Sequence, residues 1–405
     1  MSVLESIILM SGLAFCLSLL YTSKQKWGSM MTLALVISAL AVSFSWPLLL
    51  GTVAGLAGLG LLHRFRPELA TATGRENTLR DWVQHMMGLA IALVGCQYIV
   101  YYSLLAHGIV PDISRPDVVD AFLPIAAGLE IKAILTLNFW DKNHPAAAVM
   151  LTSVLLSGVF VKRAFCGWFC PVGLAGQYIH KLRTRLIKGE WNPPKWLDWP
   201  LRMLKYLLLA GLLYIVVLAM PKEALPYYLN GHYMKIADLK TAMFFVSPGV
   251  IGGTILLVIF LMAAWQKQSF CRYLCPYGAA LGLLSFLSPF KVRRDTSHCL
   301  NDAGGMSCDK CTRACPARIQ VHVIETVRVD ECQSCMRCIS ACPKKEALSV
   351  RSRWGSKLSA RGVLIILLLL MFGLPLIAHM AGFWHSQVSD EMRMELIRYL
   401  HQINH

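Results

Sequence analysis

From Cys332 the chain reads Cys332-x2-Cys335-x2-Cys338-x3-Cys342-Pro343. Iron in a cluster needs soft thiolate ligands, and this spacing wraps three of them around one corner of a [4Fe–4S] cube. The fourth cysteine, followed by proline, points away and serves a second cluster. Structural zinc is the competing use of four cysteines, but zinc ribbons favour two separated pairs over one unbroken run. A second run, Cys308-x2-Cys311-x3-Cys315-Pro316, lacks the leading cysteine of the first. Cys299 stands nine residues earlier, and the intervening Asn301-Asp302-Ala303-Gly304-Gly305 can loop out and return it to the same corner. The crossover rule then assigns Cys299, Cys308, Cys311 and Cys342 to one cluster, and Cys315, Cys332, Cys335 and Cys338 to the other. The alternative leaves Cys299 a free thiol and the first cluster short of a ligand.

Two further cysteine pairs form an internal repeat. Phe165-Cys166-Gly167-Trp168-Phe169-Cys170-Pro171-Val172-Gly173 is echoed by Phe270-Cys271-Arg272-Tyr273-Leu274-Cys275-Pro276-Tyr277-Gly278. On a helix, Cys-x3-Cys places both thiols on one face, one turn apart. Each proline prevents regular helix from continuing through the motif. Repeats in membrane proteins often pack about a pseudo-twofold axis with the functional site between them. Facing pairs would bring Cys166, Cys170, Cys271 and Cys275 into one four-thiol site. Three uses stay open: a metal or iron–sulfur centre, a redox-active dithiol pair, or helix packing. Packing accounts for the apolar positions but not for four matched cysteines. Cys16 and Cys96 stand alone in apolar stretches and take no role.

The elements that must carry these cysteines are mostly apolar. Of 405 residues 56% are hydrophobic and 15% charged, against about 25% charged in soluble domains, and mean hydropathy is +0.52. The expectation is a mainly α, polytopic membrane protein with an inserted α+β segment of the 2[4Fe–4S] ferredoxin type. Crossing takes about 20 residues, which fits Val3–Tyr21, Trp82–Leu105, His144–Val161, Met203–Met220, Gly249–Trp265 and Gly362–Met380. Ser29–Leu62 is too long for one crossing and reads as a hairpin turning near Trp46–Pro47, for eight spans in all. Phe122–Trp140 is amphipathic and short, either re-entrant or on the membrane surface.

Net charge is +16, and the basic residues cluster at span ends, as anchors on a cytoplasmic face do, so no nucleic-acid partner is expected. Lys24, Lys26, Lys162, Arg163, Lys181, Arg183, Arg185, Lys188, Lys267, Arg272, Lys291, Arg293 and Arg294 mark that face. Asp112, Asp117, Asp120 and Glu130 then fall in an outer loop, and both termini lie outside. The organisation expected is an N-terminal extension (1–77), a membrane core with the two repeats (78–289), the ferredoxin-like segment (290–350), and a last span with an outer tail (351–405). Glu5 ahead of the first apolar run argues against a cleavable leader. Glu130 and Lys132 are placed on a solvated interfacial face, with a quinone or proton path as the sharper alternative. His85 and His379 do not make a clear haem pair, and neither Cys-x-x-Cys-His nor a nucleotide-binding glycine loop is present.

With these motifs in hand, the chain from about Thr78 onward resembles the NapH/NosR group of membrane polyferredoxins, and within it the YccM type. Ala164–Gly173, Trp196–Leu209, Cys271–Arg294, both cysteine runs and the Phe383–Trp384 exit carry the resemblance. It implies an electron carrier, or a subunit of an oxidoreductase complex, in the bacterial inner membrane. The implied cofactors are two [4Fe–4S] clusters, with a further metal or iron–sulfur centre at the repeat. The implied partners are membrane lipid, quinone or quinol, and a respiratory reductase or cytochrome. Two other functions compete: a copper or other metal reductase of the CcoG type, and a non-catalytic anchor or maturation factor for a periplasmic reductase. The departures are the first 75 or so residues and the insertion after Cys299, and neither removes a cysteine.

Overall fold

The computed structural model describes residues 76–187, 194–302, 305, 307–344 and 346–399. Val3–Tyr21 and the Ser29–Leu62 hairpin lie outside the described residues. Helix α1 covers Glu76–Ala106. A 3-10 turn at Asp117–Phe122 leads into α2, Pro124–Leu137, and α3, Pro145–Val161. Proline opens both helices, at the position whose N–H has no helical partner anyway. After a helical turn at Ala164–Trp168 comes α4, Pro171–Leu186. Helix α5, Lys195–Leu213, continues as π-helix to Ala219. Helices α6, Ala237–Val246, and α7, Val250–Trp265, meet at a 70° bend, where Pro248 and Gly249 interrupt the run. Helix α8 is Pro276–Leu284. Strands β1, Lys291–Arg294, β2, Leu348–Arg351, and β3, Lys357–Leu358, form one antiparallel sheet in that order. Helix α9, Ala360–Leu368, runs through a π-helical stretch into α10, Leu374–Met380, and α11, Asp390–Ile397, follows.

Leu79–Ala106, Trp196–Ala219 and Ala360–Met380 are long and apolar enough to cross a membrane, and the bent pair α6–α7 makes a fourth if taken as one span. Helix α3 has 17 residues, at the lower limit for a crossing. The described residues therefore carry three or four full-length spans of the eight expected. Of the other expected crossings, three lie outside the described residues, and α3 is the short one. Lipid replaces water as the solvent on the outer faces. Val250, Ile251, Leu257, Phe260 and Leu261 of α7 all stay exposed, an apolar surface that in water would be an aggregation site. Trp196 and Trp199 are exposed at the start of α5, where amphipathic rings suit a membrane interface.

The repeats exchange helices. Helix α3, which leads into the first cysteine pair, packs on α8, which leaves the second; α7, which leads into the second, packs on α4, which leaves the first. Gly158 on α3 permits the close approach, since a Cβ there would lie 2.8 Å from Leu281 of α8. Arg183 of α4 donates to the terminal carbonyls of Ala264 (3.1 Å) and Trp265 (3.1 Å) at the end of α7. This mutual packing is what a pseudo-twofold arrangement requires. One continuous core joins the membrane helices to the cysteine-rich segment, running from Val161, Trp168 and Leu364 to Cys332, Cys338 and Val350.

Candidate functional site

Each repeat builds its cysteine pair in the same way. The first cysteine lies in a short helical turn, Ala164–Trp168 or the π-turn Phe270–Leu274. The second adopts extended backbone (Cys170 φ −65, ψ 120; Cys275 φ −72, ψ 114), and proline starts the next helix. The motif is thus a broken helix, as the prolines foretold, not one continuous face. The Gly278 N–H donates to Cys275 Sγ at 3.3 Å. The glycine closing each motif is also a close-approach position: a Cβ on Gly173 would lie 2.8 Å from the Cys166 carbonyl, and one on Gly278 2.9 Å from that of Cys271. Cys166 and Cys271 are buried, Cys170 and Cys275 half-buried.

The four thiols share one electrostatic environment. Burial pushes the Cys170 thiol up to about 12, with Cys166 and Cys275 adding to the shift. Burial likewise raises Cys275 to about 11, with Cys166 next in effect. Cys271 is raised well above the ordinary thiol range by burial and by Cys170, Cys275 and Cys166. Raised in this way, Cys170, Cys271 and Cys275 are weak nucleophiles at neutral pH, and metal binding would have to displace their protons.

The ferredoxin-type cysteines gather into two sets. Cys315, Cys332, Cys335 and Cys338 line one cavity together with Val292 and Val321. Burial raises Cys338 well above its ordinary value, with Cys335, Cys332 and Cys315 contributing next, and pushes Cys315 up to about 12. In the other set, burial raises Cys342, and Cys299 and Cys308 are near enough to add to it; burial also raises Cys311, with Cys342 among its neighbours. Cys299 and Cys308 thus both lie within electrostatic range of Cys342. No three Cys, His, Asp or Glu side chains among the described residues gather closely enough to hold a single ion. In a cubane each thiolate binds its own iron, so its ligands stand further apart than those of one ion. The apolar cavity and its four sulfurs fit such a group.

Several residues that sequence reading passed over join the two regions. Backbone at 327–335 lies directly on the repeat: a Cβ on Gly167 would sit 3.2 Å from the Gln333 carbonyl and 3.4 Å from Cys335 Cβ. Fully buried Trp168 donates to the Ser334 carbonyl (3.2 Å), and Gln333 donates to Gln268 (2.8 Å). Lys205, buried within a span, pairs with Asp330 at 2.8 Å, and Tyr206 donates to the same carboxylate at 2.6 Å. Arg272 pairs with Asp198 (3.0 Å) and Glu331 (3.3 Å) and donates to the Ala317 carbonyl. The signal missed was charge within the motif itself: Lys162, Arg163 and Arg272, read as solvent-facing anchors, are all buried.

The other end of α3 carries a buried ionic network. Arg115 contacts Asp117 (3.1 Å), Asp120 and Asp238 (2.6 Å), and Arg393 of α11 reaches Asp238 at 2.8 Å. His144 faces Asp120 with one nitrogen (2.9 Å) and the Met234 carbonyl with the other (2.5 Å). Glu130 is 1% exposed, so the solvated face expected for it is corrected; its Oε2 accepts from the Ala148 N–H at 3.0 Å. Lys132 is half-buried and caps the end of the α5 span, donating to the carbonyls of Val216 (3.0 Å), Val217 (2.9 Å) and Met220 (2.6 Å). Cys96 is exposed on α1.

Comparison with known proteins bears on both halves of this site. The family profile of a 4Fe-4S binding domain matches twice, at residues 143–190 and 247–295, and these are the two membrane repeats. The YccM protein of Escherichia coli (strain K12), whose name proposes an electron-transport role, is 34% identical over 325 residues, covering 79% of this chain and 88% of YccM. The chain belongs to the YccM family. Beyond the YccM family, the ferredoxin-type protein NapH of E. coli is 25% identical over 55% of this chain and 75% of its own. The regulatory protein NosR of Pseudomonas aeruginosa is 28% identical over 46% of this chain but only 24% of NosR. No solved structure matches. The resemblance read from the motifs holds: this YccM-family chain is a ferredoxin-type, 4Fe-4S-binding electron-transport protein with membrane helices.

Proposed function

We propose that the protein is an iron–sulfur electron carrier of the bacterial inner membrane, or the electron-carrying subunit of an oxidoreductase complex there. The observation that carries this reading is the contact between Gly167 in the repeat and Gln333 and Cys335 in the ferredoxin-type run. It makes a continuous path from Cys299/Cys308/Cys311/Cys342, through Cys315/Cys332/Cys335/Cys338, to Cys166/Cys170/Cys271/Cys275. Each of the first two sets holds a [4Fe–4S] cluster, and the membrane-boundary set holds a further iron–sulfur centre. When bound, these centres supply one-electron carriers whose potentials follow burial and hydrogen bonding to sulfur. The protein's part is to fix their spacing, exclude water through the shared core, and donate N–H groups such as that of Gly278 to the ligating sulfur.

In the full organisation eight spans carry an N-terminal extension at 1–77, a core at 78–289, the ferredoxin-type segment at 290–350 on the cytoplasmic side, and a last span with its outer tail at 351–405. A quinone pool and a respiratory reductase are the partners that suit such a carrier. The test is EPR with iron and sulfide counts on anaerobically purified protein, repeated after Cys166→Ser combined with Cys271→Ser. The parent should show two [4Fe–4S] signals and additional iron, and the double variant should lose only the additional iron. Unchanged iron and spectra would remove the membrane-boundary centre from the reading. Reoxidation of the reduced parent by a soluble quinone analogue supports the carrier; reoxidation by Cu(II) alone would favour a metal reductase.

A further inference from the structure

Two buried cations beside the membrane-boundary cysteines make no direct ion pair with a carboxylate. Arg163 is 1% exposed, donates to the carbonyls of Cys271 (3.0 Å) and Asp330 (3.5 Å), and leaves its Nε without a partner. Lys162, equally buried, donates to the carbonyls of Val327 (3.0 Å) and Val329 (3.4 Å). Among the described residues no carboxylate lies within ion-pair distance of either, although Arg272 and Lys205 nearby are both paired. The nearest acid, Asp330, is already engaged by Lys205 and Tyr206. An arginine cannot shed its proton, and an unpaired buried charge is strongly unfavourable. Around the guanidinium lie Cys166, Cys271 and Cys275, which act on it more strongly than the Asp330 charge does. Gly278 keeps the approach open, since a Cβ there would meet Arg163 Nη2 at 2.8 Å.

Neutral thiols or disulfides supply no counter-charge; thiolates bound to a metal centre do. We propose that Arg163 is the built-in counter-charge of the four-cysteine site, favouring an anionic, thiolate-ligated centre there and raising the potential at which that centre accepts an electron. The inference rests on the reading that these cysteines hold such a centre. The step is a one-electron reduction by a reduced [4Fe–4S] cluster of the Cys335 set: no bond forms or breaks, the donor is oxidised by one electron, and the added negative charge falls beside Arg163. The second repeat has Gln268 at the matching position, so the charge is supplied from one side only. Arg163 is a positioning residue, acting through charge and not as a ligand.

The test is a mediated redox titration with dithionite, followed by EPR, on the full-length protein as parent, Arg163→Gln and Arg163→Lys, with iron counted in each. Arg163→Gln should lower the reduced-to-oxidised ratio of the membrane-boundary centre at least tenfold at a fixed poise, which is 59 mV for one electron. Arg163→Lys should restore most of that shift, while the two ferredoxin-type signals stay in place. An unchanged potential in Arg163→Gln, with the centre still present, overturns the proposal. If Arg163→Gln does not accumulate folded, Gln268→Arg decides: a second cation should move the potential upward, and no shift or a downward one overturns it. Loss of iron on replacing Cys166 and Cys271 is scored separately, so failure of the underlying centre is told apart from failure of Arg163's role.

Discussion

At the scale of single residues, burial and charge pull in opposite directions, and Glu130 shows the consequence most directly. Burial, with the Asp141 and Asp120 carboxylates close by, pushes its carboxyl up to about 10 from an ordinary 4.5. The folded protein therefore keeps a proton that the unfolded chain releases across that window. Stability from this group is complete below the unfolded value and falls as pH rises toward 10, by at most about 1.4 kcal/mol per pH unit. Glu130→Gln preserves the acceptor for the Ala148 N–H and removes the titration. In detergent, its unfolding midpoint should exceed the parent's at pH 9 and converge with it near pH 5. A gap that does not change with pH would mean that Glu130 is ionised in the fold. The sequence could not supply this answer. It showed an acid and a lysine in an amphipathic stretch, and only the packing of α2 on α3 decides that one is buried and the other caps a neighbouring span.

At the scale of elements, the cysteine patterns were legible because ligand spacing is local: x2, x2, x3 and the following proline fix where each sulfur points. The repeat was legible for the same reason, down to proline restarting a helix after each pair. What spacing could not give was the docking of one element on another, which depends on Gly167, Trp168 and Gln268, whose partners in the ferredoxin-type run no spacing rule names. A prediction follows from that docking. Gly167→Val places methyl groups against Gln333 and Cys335, where even a Cβ is tight, and overpacking of this kind costs about 1–3 kcal/mol. Gly176 on α4 is the control, since a Cβ there meets nothing within 4 Å. Gly176→Ala should stabilise by about 0.5–1 kcal/mol through helix propensity. Thermal unfolding of the two variants should therefore move in opposite directions. Equal shifts would deny that the repeat and the ferredoxin-type run touch at Gly167.

At the scale of the whole molecule, α3 separates two poles of different chemistry, thiols beyond its C-terminal end and the Arg115–Asp120–Asp238–Arg393 network at the other, about 25 Å apart at 1.5 Å per residue. Which pole faces the cytoplasm was argued from basic residues, and the structure changes the weight of that argument. Lys162, Arg163 and Arg272 are buried in the docking surface, so they no longer count as anchors in water. Exposed cations near the cysteines and the span ends include Lys181, Arg185 and Lys267, with Arg353 and Lys357 close before the last span. At the network pole, Lys142, Lys222 and Arg398 are exposed, with Glu223 beside Lys222. The balance still favours the cysteine pole, because basic residues within about 15–20 residues of a span end carry the orientation signal. Green fluorescent protein fused after Gly355, between β2 and β3, should therefore fluoresce, and alkaline phosphatase fused after His405 should be active. The reverse pattern would place the cysteine clusters on the outer face, where a cytoplasmic electron donor could not reach Cys342 or Cys299.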